Sequence, residues 1–209
     1  EGRDDPVPEI PEAGDDIIEL STIHTDYLEL GPIIKDLKCA SYSPCGLPSS
    51  YIKALFNTLG AYFTKPLARL LNSIFRAKIY PEIFKIATIT PIYKNKGAIT
   101  DPANFRPISI LPTMSKITES IIHDRLMTHL NGYNIISPAQ AAYQKGDSTS
   151  QQLLYLVHKI KKAWCEKKVA HAVFLDVSAA FDAVWHKGLL KKLRAIKVRG
   201  GMLDIITSY

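Results

Sequence analysis

The run Phe174-Leu175-Asp176-Val177-Ser178-Ala179-Ala180-Phe181-Asp182 carries the sharpest chemical signal in the chain. It closes a longer apolar stretch, Val169 to Val177, that predicts a buried strand ending in an acid. An ionised carboxylate in such a place needs a cation, a hydrogen-bond donor or water. A divalent ion is one answer, because hard oxygen ligands at a strand end suit Mg²⁺. A helix cap or a surface ion pair is the other reading of Asp176. Asp182 sits where it could cap the helix predicted through Leu189, Leu190, Leu193 and Ile196.

Upstream, Ser148-x-x-Gln151 is a capping box. It opens a predicted helix reaching about Lys168, with Leu153, Leu154, Val157, Ile160 and Trp164 at helical spacing. The block before it, Gln140-Ala141-Ala142-Tyr143-Gln144-Lys145-Gly146-Asp147-Ser148-Thr149, is either a functional loop or only a lead into that helix. A further helix is predicted from about Thr113 to His129.

Residues 85–93, Lys-Ile-Ala-Thr-Ile-Thr-Pro-Ile-Tyr, are β-branched and alternate, which predicts a strand with Pro91 near its end. A polar loop, Lys94 to Phe105, follows, and then Arg106-Pro107-Ile108-Ser109. Cations here could hold phosphate oxygens, Arg in particular through bidentate contacts. Lys96 reads better as part of a solvated loop. Two helices are predicted earlier, one after the turn cluster Ser43 to Pro48 and one from near Thr64, with Pro66 in its first turn and Pro81 past its end. Residues 23–38 hold a weaker helical pattern that Gly31-Pro32 is expected to interrupt.

The formal charge of +6 is unevenly spread. Residues 1–36 hold 11 acids against Arg3 and Lys35, while residues 37–209 carry an excess of 15 bases. A basic body fits a polyanionic partner, nucleic acid being the commonest, or is simply a solvated surface. Cys39, Cys45 and Cys165 have no zinc spacing, and their odd number gives no disulfide framework, so a reducing compartment is the simpler expectation. No apolar run approaches the ~20 residues of a membrane span. The chain starts at Glu1 and stops at Tyr209 inside an apolar pattern, so both ends read as cuts.

Taken in order, these blocks resemble the reverse transcriptase domain of non-LTR (LINE-type) retrotransposons. Pro91-Ile92-x-Lys94 and Asn104 through Leu111 are similar to the family's first fingers block, and Lys116, Glu119 and Arg125-Leu126 to its continuation. Gln140 through Thr149 is similar to the next block, and Leu175 through His186 to the first palm motif. The resemblance covers roughly residues 43–209; residues 1–42 read as an acidic linker and a weak helix. It implies an α/β (α+β) fold: a partial right-hand polymerase, fingers plus the first part of the palm, mostly helical with few strands.

The resemblance also implies an activity, RNA-directed DNA synthesis by two-metal phosphoryl transfer. Its partners would be an RNA template, a DNA primer and deoxynucleoside triphosphates, with two Mg²⁺ ions in the complete enzyme. By resemblance, Asp176 would bind both metals and the Val177 carbonyl one of them. Phe181 would lie under the sugar and exclude a 2′-hydroxyl, and Arg106, with Lys94 beside it, would contact the triphosphate. The expected location is intracellular, nucleus or cytoplasm being open.

Three departures stand out. Cys45 occupies a turn position where many members have Asp, Gln144 one where many have Arg, and the later palm motif Tyr/Phe-Ala-Asp-Asp occurs nowhere in the 209 residues. One carboxylate does not hold two Mg²⁺ ions. The chain alone is therefore expected to be inactive. The alternative reading is a non-catalytic nucleic-acid-binding remnant of a truncated element, or a remnant with no partner.

Overall fold

A computed structural model of the chain describes Gly14 and residues 16–38, 46–177 and 180–209. Most of the acidic N-terminal stretch, Cys39, Cys45, the first half of the Ser43–Pro48 turn cluster, and Ser178 and Ala179 of the palm-like motif lie outside the described residues.

The described residues form a helical body with one β-ribbon. Helices α1 (Leu30–Asp36), α2 (Ser49–Leu59), α3 (Ala61–Ala77) and α4 (Glu82–Lys85) precede strands β1 (Thr88–Tyr93) and β2 (Phe105–Ile110). Helices α5 (Thr113–Gly132), α6 (Thr149–Cys165), α7 (His186–Ala195) and α8 (Gly200–Ser208) follow.

Gly31 and Pro32, expected to interrupt the first helical pattern, instead stand in the opening turn of α1. Proline is tolerated there because the first amides of a helix have no intrahelical acceptor. Gly60, at φ 52° and ψ −121°, turns the chain between α2 and α3, so α3 begins at Ala61 rather than near Thr64, and Pro66 falls inside it. Lys78 closes α3 in the left-handed conformation, and Pro81 follows beyond it.

The core lies where α1, α2, α3, α5 and α8 meet. Leu30, Ile34, Leu71, Ile117, Ile121 and Ile205 are fully buried there, with Ile52, Leu67 and Phe75 beside them. The i, i+4 recurrences Leu30/Ile34, Leu67/Leu71/Phe75 and Ile117/Ile121 put each helix's apolar stripe on that seam. A second cluster, Leu193, Val198, Met202 and Leu203, joins α7 to α8. Residues 20–25 pass between the parts. Leu20 makes a parallel bridge with Val198: its amide donates to the Lys197 carbonyl at 3.0 Å, and its carbonyl accepts from the Arg199 amide at 3.0 Å. Thr25 then docks on α3, its amide and carbonyl both bound by the Asn72 side chain at 2.9 and 2.8 Å.

Two further expectations fail. Residues 169–177 form no strand, and the apolar run that reads as buried is open to solvent, with Val173 and Phe174 each 82% and Leu175 93% exposed. A strand needs a partner for its amides and carbonyls, and among the described residues none lies alongside it. The second failure is Asp182: the residue flanking the start of α7 is Trp185, and no side chain caps that helix. Trp185 lies over the first turn instead. A Cβ built on Gly188 would fall 2.7 Å from its indole ring, so glycine is what lets the ring settle there.

Candidate nucleotide and template site

The ribbon positions the first pair of expected site residues. Strands β1 and β2 run antiparallel with Thr90 opposite Ile108, Pro91 opposite Pro107 and Ile92 opposite Arg106. The Lys94 amide donates to the Asn104 carbonyl at 2.8 Å, which fixes the alternation of bonded and non-bonded rungs. Pro91 and Pro107 then share a non-hydrogen-bonded rung, so neither missing N–H interrupts the ladder. The same alternation puts Ile92, Lys94 and Arg106 on one face and Tyr93, Phe105 and both prolines on the other. Lys94 and Arg106 are therefore diagonal neighbours on one side of the ribbon.

The ribbon's loop is tied internally. The Asp101 carboxylate accepts from the Ala103 amide at 2.9 Å, the Asn104 side-chain amide donates to the Ala98 carbonyl at 2.9 Å, and the Lys94 ammonium donates to the Ala103 carbonyl at 2.7 Å. A Cβ on Gly97, which sits at φ 81°, would collide with the Asn104 amide at 2.5 Å. On the other face Tyr93 and Phe105 pack with ring centroids 5.4 Å apart. Pro91, Phe105 and Pro107, with Ile99 and Pro102 from the loop, line an apolar cavity of about 400 Å³ there. The ribbon thus carries both Lys94 and Arg106 on one face, beside Ile92 and Ile108, and an apolar cavity on the other.

The second assembly joins the block before α6 to the palm-like motif. Ser148 caps α6 as its place in the capping box requires, its hydroxyl oxygen accepting from the Gln151 amide at 3.2 Å. The Gln151 side chain accepts from the Ser148 hydroxyl at 3.2 Å rather than reaching back to the Ser148 amide, so only half of the capping box is made. A cavity of about 710 Å³ opens between Tyr143, Gln144, the first turns of α6 and Phe174. Tyr143 adopts a left-handed backbone at φ 62°. Its ring meets Phe181 edge to face, centroids 6.4 Å apart and planes at 87°. Both rings are open to solvent, Tyr143 80% and Phe181 78% exposed.

Tyr143 and Phe174 are thus neighbours of the site that residue-type reasoning passed over. The signal for Tyr143 in the sequence was the aromatic inside the Gln140–Thr149 block, which reads equally well as a loop, while Phe174 opens the run that carries Asp176.

Asp176 and Val177 lie on the exposed segment after Phe174. Among the described residues Asp176 makes no hydrogen bond or ion pair, and neither joins it to Arg106 or Lys94. Also among the described residues, no three His, Cys, Asp or Glu side chains gather as a metal site. A single carboxylate does not satisfy the near-octahedral demand of Mg²⁺. No helix is long and apolar enough to cross a membrane, again among the described residues.

Residues 92–209, more than half of the chain, match the family described as reverse transcriptase (RNA-dependent DNA polymerase). The chain belongs to that family. Its relatives narrow the kind. It is 35% identical over 130 residues to the RNA-directed DNA polymerase from the mobile element jockey of Drosophila melanogaster, covering 62% of this chain and 14% of that protein. It has the same identity and coverage against the protein named "Probable RNA-directed DNA polymerase from transposon BS", also of Drosophila melanogaster. It is 29% identical over 118 residues to the Pol polyprotein from the type-1 retrotransposable element R2 of Popillia japonica, covering 56% of this chain and 16% of that protein. The chain is a reverse transcriptase segment of the non-LTR retrotransposon kind, and it spans about one seventh of the length of the first two of these relatives.

Proposed function

We propose that this chain is the fingers and first palm portion of an RNA-directed DNA polymerase that extends a DNA primer on an RNA template with deoxynucleoside triphosphates. The observation that carries the reading is the family match over residues 92–209, which takes in Lys94, Arg106 and the Asp176 segment. The pairing of Tyr143 with Phe181 supports it, because it joins two separate sequence blocks at one place.

In this reading Arg106 and Lys94, on one face of the ribbon, contact the triphosphate. Guanidinium suits the bidentate grip and ammonium adds a point charge. Phe181 lies under the sugar and disfavours a 2′-hydroxyl. Asp176, with the Val177 carbonyl, supplies part of a divalent-metal site, Mg²⁺ being the ion that suits hard oxygen ligands. The described residues do not complete that site.

The test is primer extension on an RNA template by a reading frame that contains these residues together with a later palm segment bearing paired aspartates. Extension with deoxynucleotides is expected, and Phe181→Val should raise ribonucleotide incorporation relative to it. A frame that extends no primer, or a Phe181→Val protein with unchanged sugar preference, would refute the polymerase reading or the role of Phe181 respectively.

A further inference from the structure

The stretch from Ala183 to Leu203 contains six bases, Lys187, Lys191, Lys192, Arg194, Lys197 and Arg199, and no acid. Helix α7 carries the first four, held in place by the buried seam that Leu193 makes with α8. Four bases elsewhere are held in ion pairs: Arg125 with Glu29, Lys78 with Asp204, Lys85 with Glu82 and Lys168 with Glu166. Lys187, Lys192 and Arg194 are exposed, and among the described residues they enter no ion pair.

Helix stability does not explain all of these charges. Lys192 and Arg194 sit in the last turn, where a cation suits the helix dipole. Lys187 sits in the first turn, at the positive end, where an acid would be favoured and none is present. Lys187 and Lys191 are also like charges at i, i+4 spacing, which costs the helix stability.

We infer that α7 is a phosphate-backbone contact surface for the template–primer duplex, separate from the nucleotide contacts of the ribbon. The inference rests on the reading that the chain handles nucleic acid. Charge complementarity supplies the first argument. The second is that α7 itself holds no Phe, Tyr or Trp, and the one ring beside it, Trp185, is packed down on Gly188 with its indole nitrogen buried. Surfaces that hold single strands interleave bases with aromatic rings for stacking. A cationic helix without rings fits a duplex, whose bases are already stacked inside. Ten residues of helix span about 15 Å, or about four base-pair steps. The chain from Asp176 to His186 also keeps α7 within about 35 Å of the proposed catalytic carboxylate.

The test uses the 209-residue chain and a fluorescent RNA–DNA hybrid duplex, with anisotropy measured across a salt series. The triple variant Lys187→Gln/Lys192→Gln/Arg194→Gln should bind at least about tenfold more weakly at low salt, and its log–log salt slope should fall by about two to three. The charge-conserving variant Lys187→Arg/Lys192→Arg/Arg194→Lys should keep the wild-type slope, which separates charge from folding. An equal neutralisation on α6, Lys159→Gln/Lys161→Gln/Lys162→Gln, should leave duplex binding within about twofold and the slope within about one of wild type. Equal losses from the α6 and α7 triples, or an unchanged slope in the α7 triple, would overturn the assignment of α7 while leaving the polymerase reading standing. A wild-type chain that binds no duplex at any salt would likewise overturn the assignment of α7.

Discussion

The Glu29 carboxylate and the Arg125 guanidinium meet at 2.7 Å across 96 residues of sequence, tying the N-terminal segment to the middle of α5. Arg125 also donates to the His24 carbonyl at 2.9 Å, and the Thr25 hydroxyl donates to the same Glu29 oxygen at 2.8 Å. Burial alone would raise the Glu29 carboxyl. The bonds from Arg125 and Thr25 outweigh it and hold the group below the usual carboxylate range. A carboxyl depressed in the folded state stabilises the fold above its unfolded value of about 4.3, and that contribution is lost as pH falls through the lower folded value. Glu29→Gln should therefore cost about 1–2 kcal/mol at pH 7 and flatten the acid limb of stability. Urea midpoints between pH 2 and 7 measure it.

Tyr80 gives the opposite limb. Its ring is fully buried, and its hydroxyl lies 2.8 Å from the Ser115 hydroxyl and 3.4 Å from Glu119, which also accepts from Tyr209 at 3.3 Å. Burial is the main cause that pushes the Tyr80 phenol well above its ordinary range, and the Glu119 charge adds to it. A group raised on folding stabilises below its unfolded value, about 10, and that stability fades as pH rises beyond it. Tyr80→Phe should cost about 1 kcal/mol at pH 7, and the gap to wild type should narrow above pH 10. Thermal melts at pH 7 and 10.5 compare the two.

Gly200 tests the packing of the strap formed by residues 20–25. It sits at φ 48°, and a Cβ there would come 3.1 Å from the Ser21 carbonyl oxygen. The neighbouring Met202 amide donates to that same oxygen at 3.1 Å, so the backbone has little room to give. Gly200→Ala should lower stability by about 1–3 kcal/mol through the strained backbone and the close contact. Gly132, at the end of α5, has an ordinary φ, and a methyl added there would meet nothing within 4 Å. Gly132→Ala should be neutral or stabilise by up to about 1 kcal/mol. Denaturant unfolding of both variants gives the contrast.

The helices were legible because their apolar spacing is local: Leu67, Leu71 and Phe75 declare a face without reference to anything else. The strand β2 was not, because Pro107 reads as a strand breaker unless its rung is known, and that rung is set by the Lys94–Asn104 hydrogen bond. Residues 169–177 mislead in the other direction. Their apolar, β-branched run states a preference for a strand, yet a strand exists only beside a partner, and none stands there among the described residues. The strap was illegible for a third reason. Leu20 and Val198 meet through backbone groups, which leave no mark on side-chain pattern. Of the candidate site, the residue types at Lys94, Arg106, Asp176 and Phe181 were readable in sequence, while the shared ribbon face of the first two and the Tyr143 partner of the last come only from the fold.

Asp182→Ala should change stability by less than about 0.5 kcal/mol, since α7 begins at His186 and Asp182 does not cap it. Asp176→Ala bears on the chemistry, and one experiment on it decides whether this segment serves a metal-dependent polymerase. Primer extension on an RNA template should be measured for a reading frame that joins residues 1–209 to a later palm segment with paired aspartates, beside its Asp176→Ala variant. Extension by the first is expected, with a loss of at least about 10³-fold in the second, because removing a carboxylate shared by two metals disturbs both the attacking and the leaving oxygens. Undiminished extension by the Asp176→Ala protein would contradict that role.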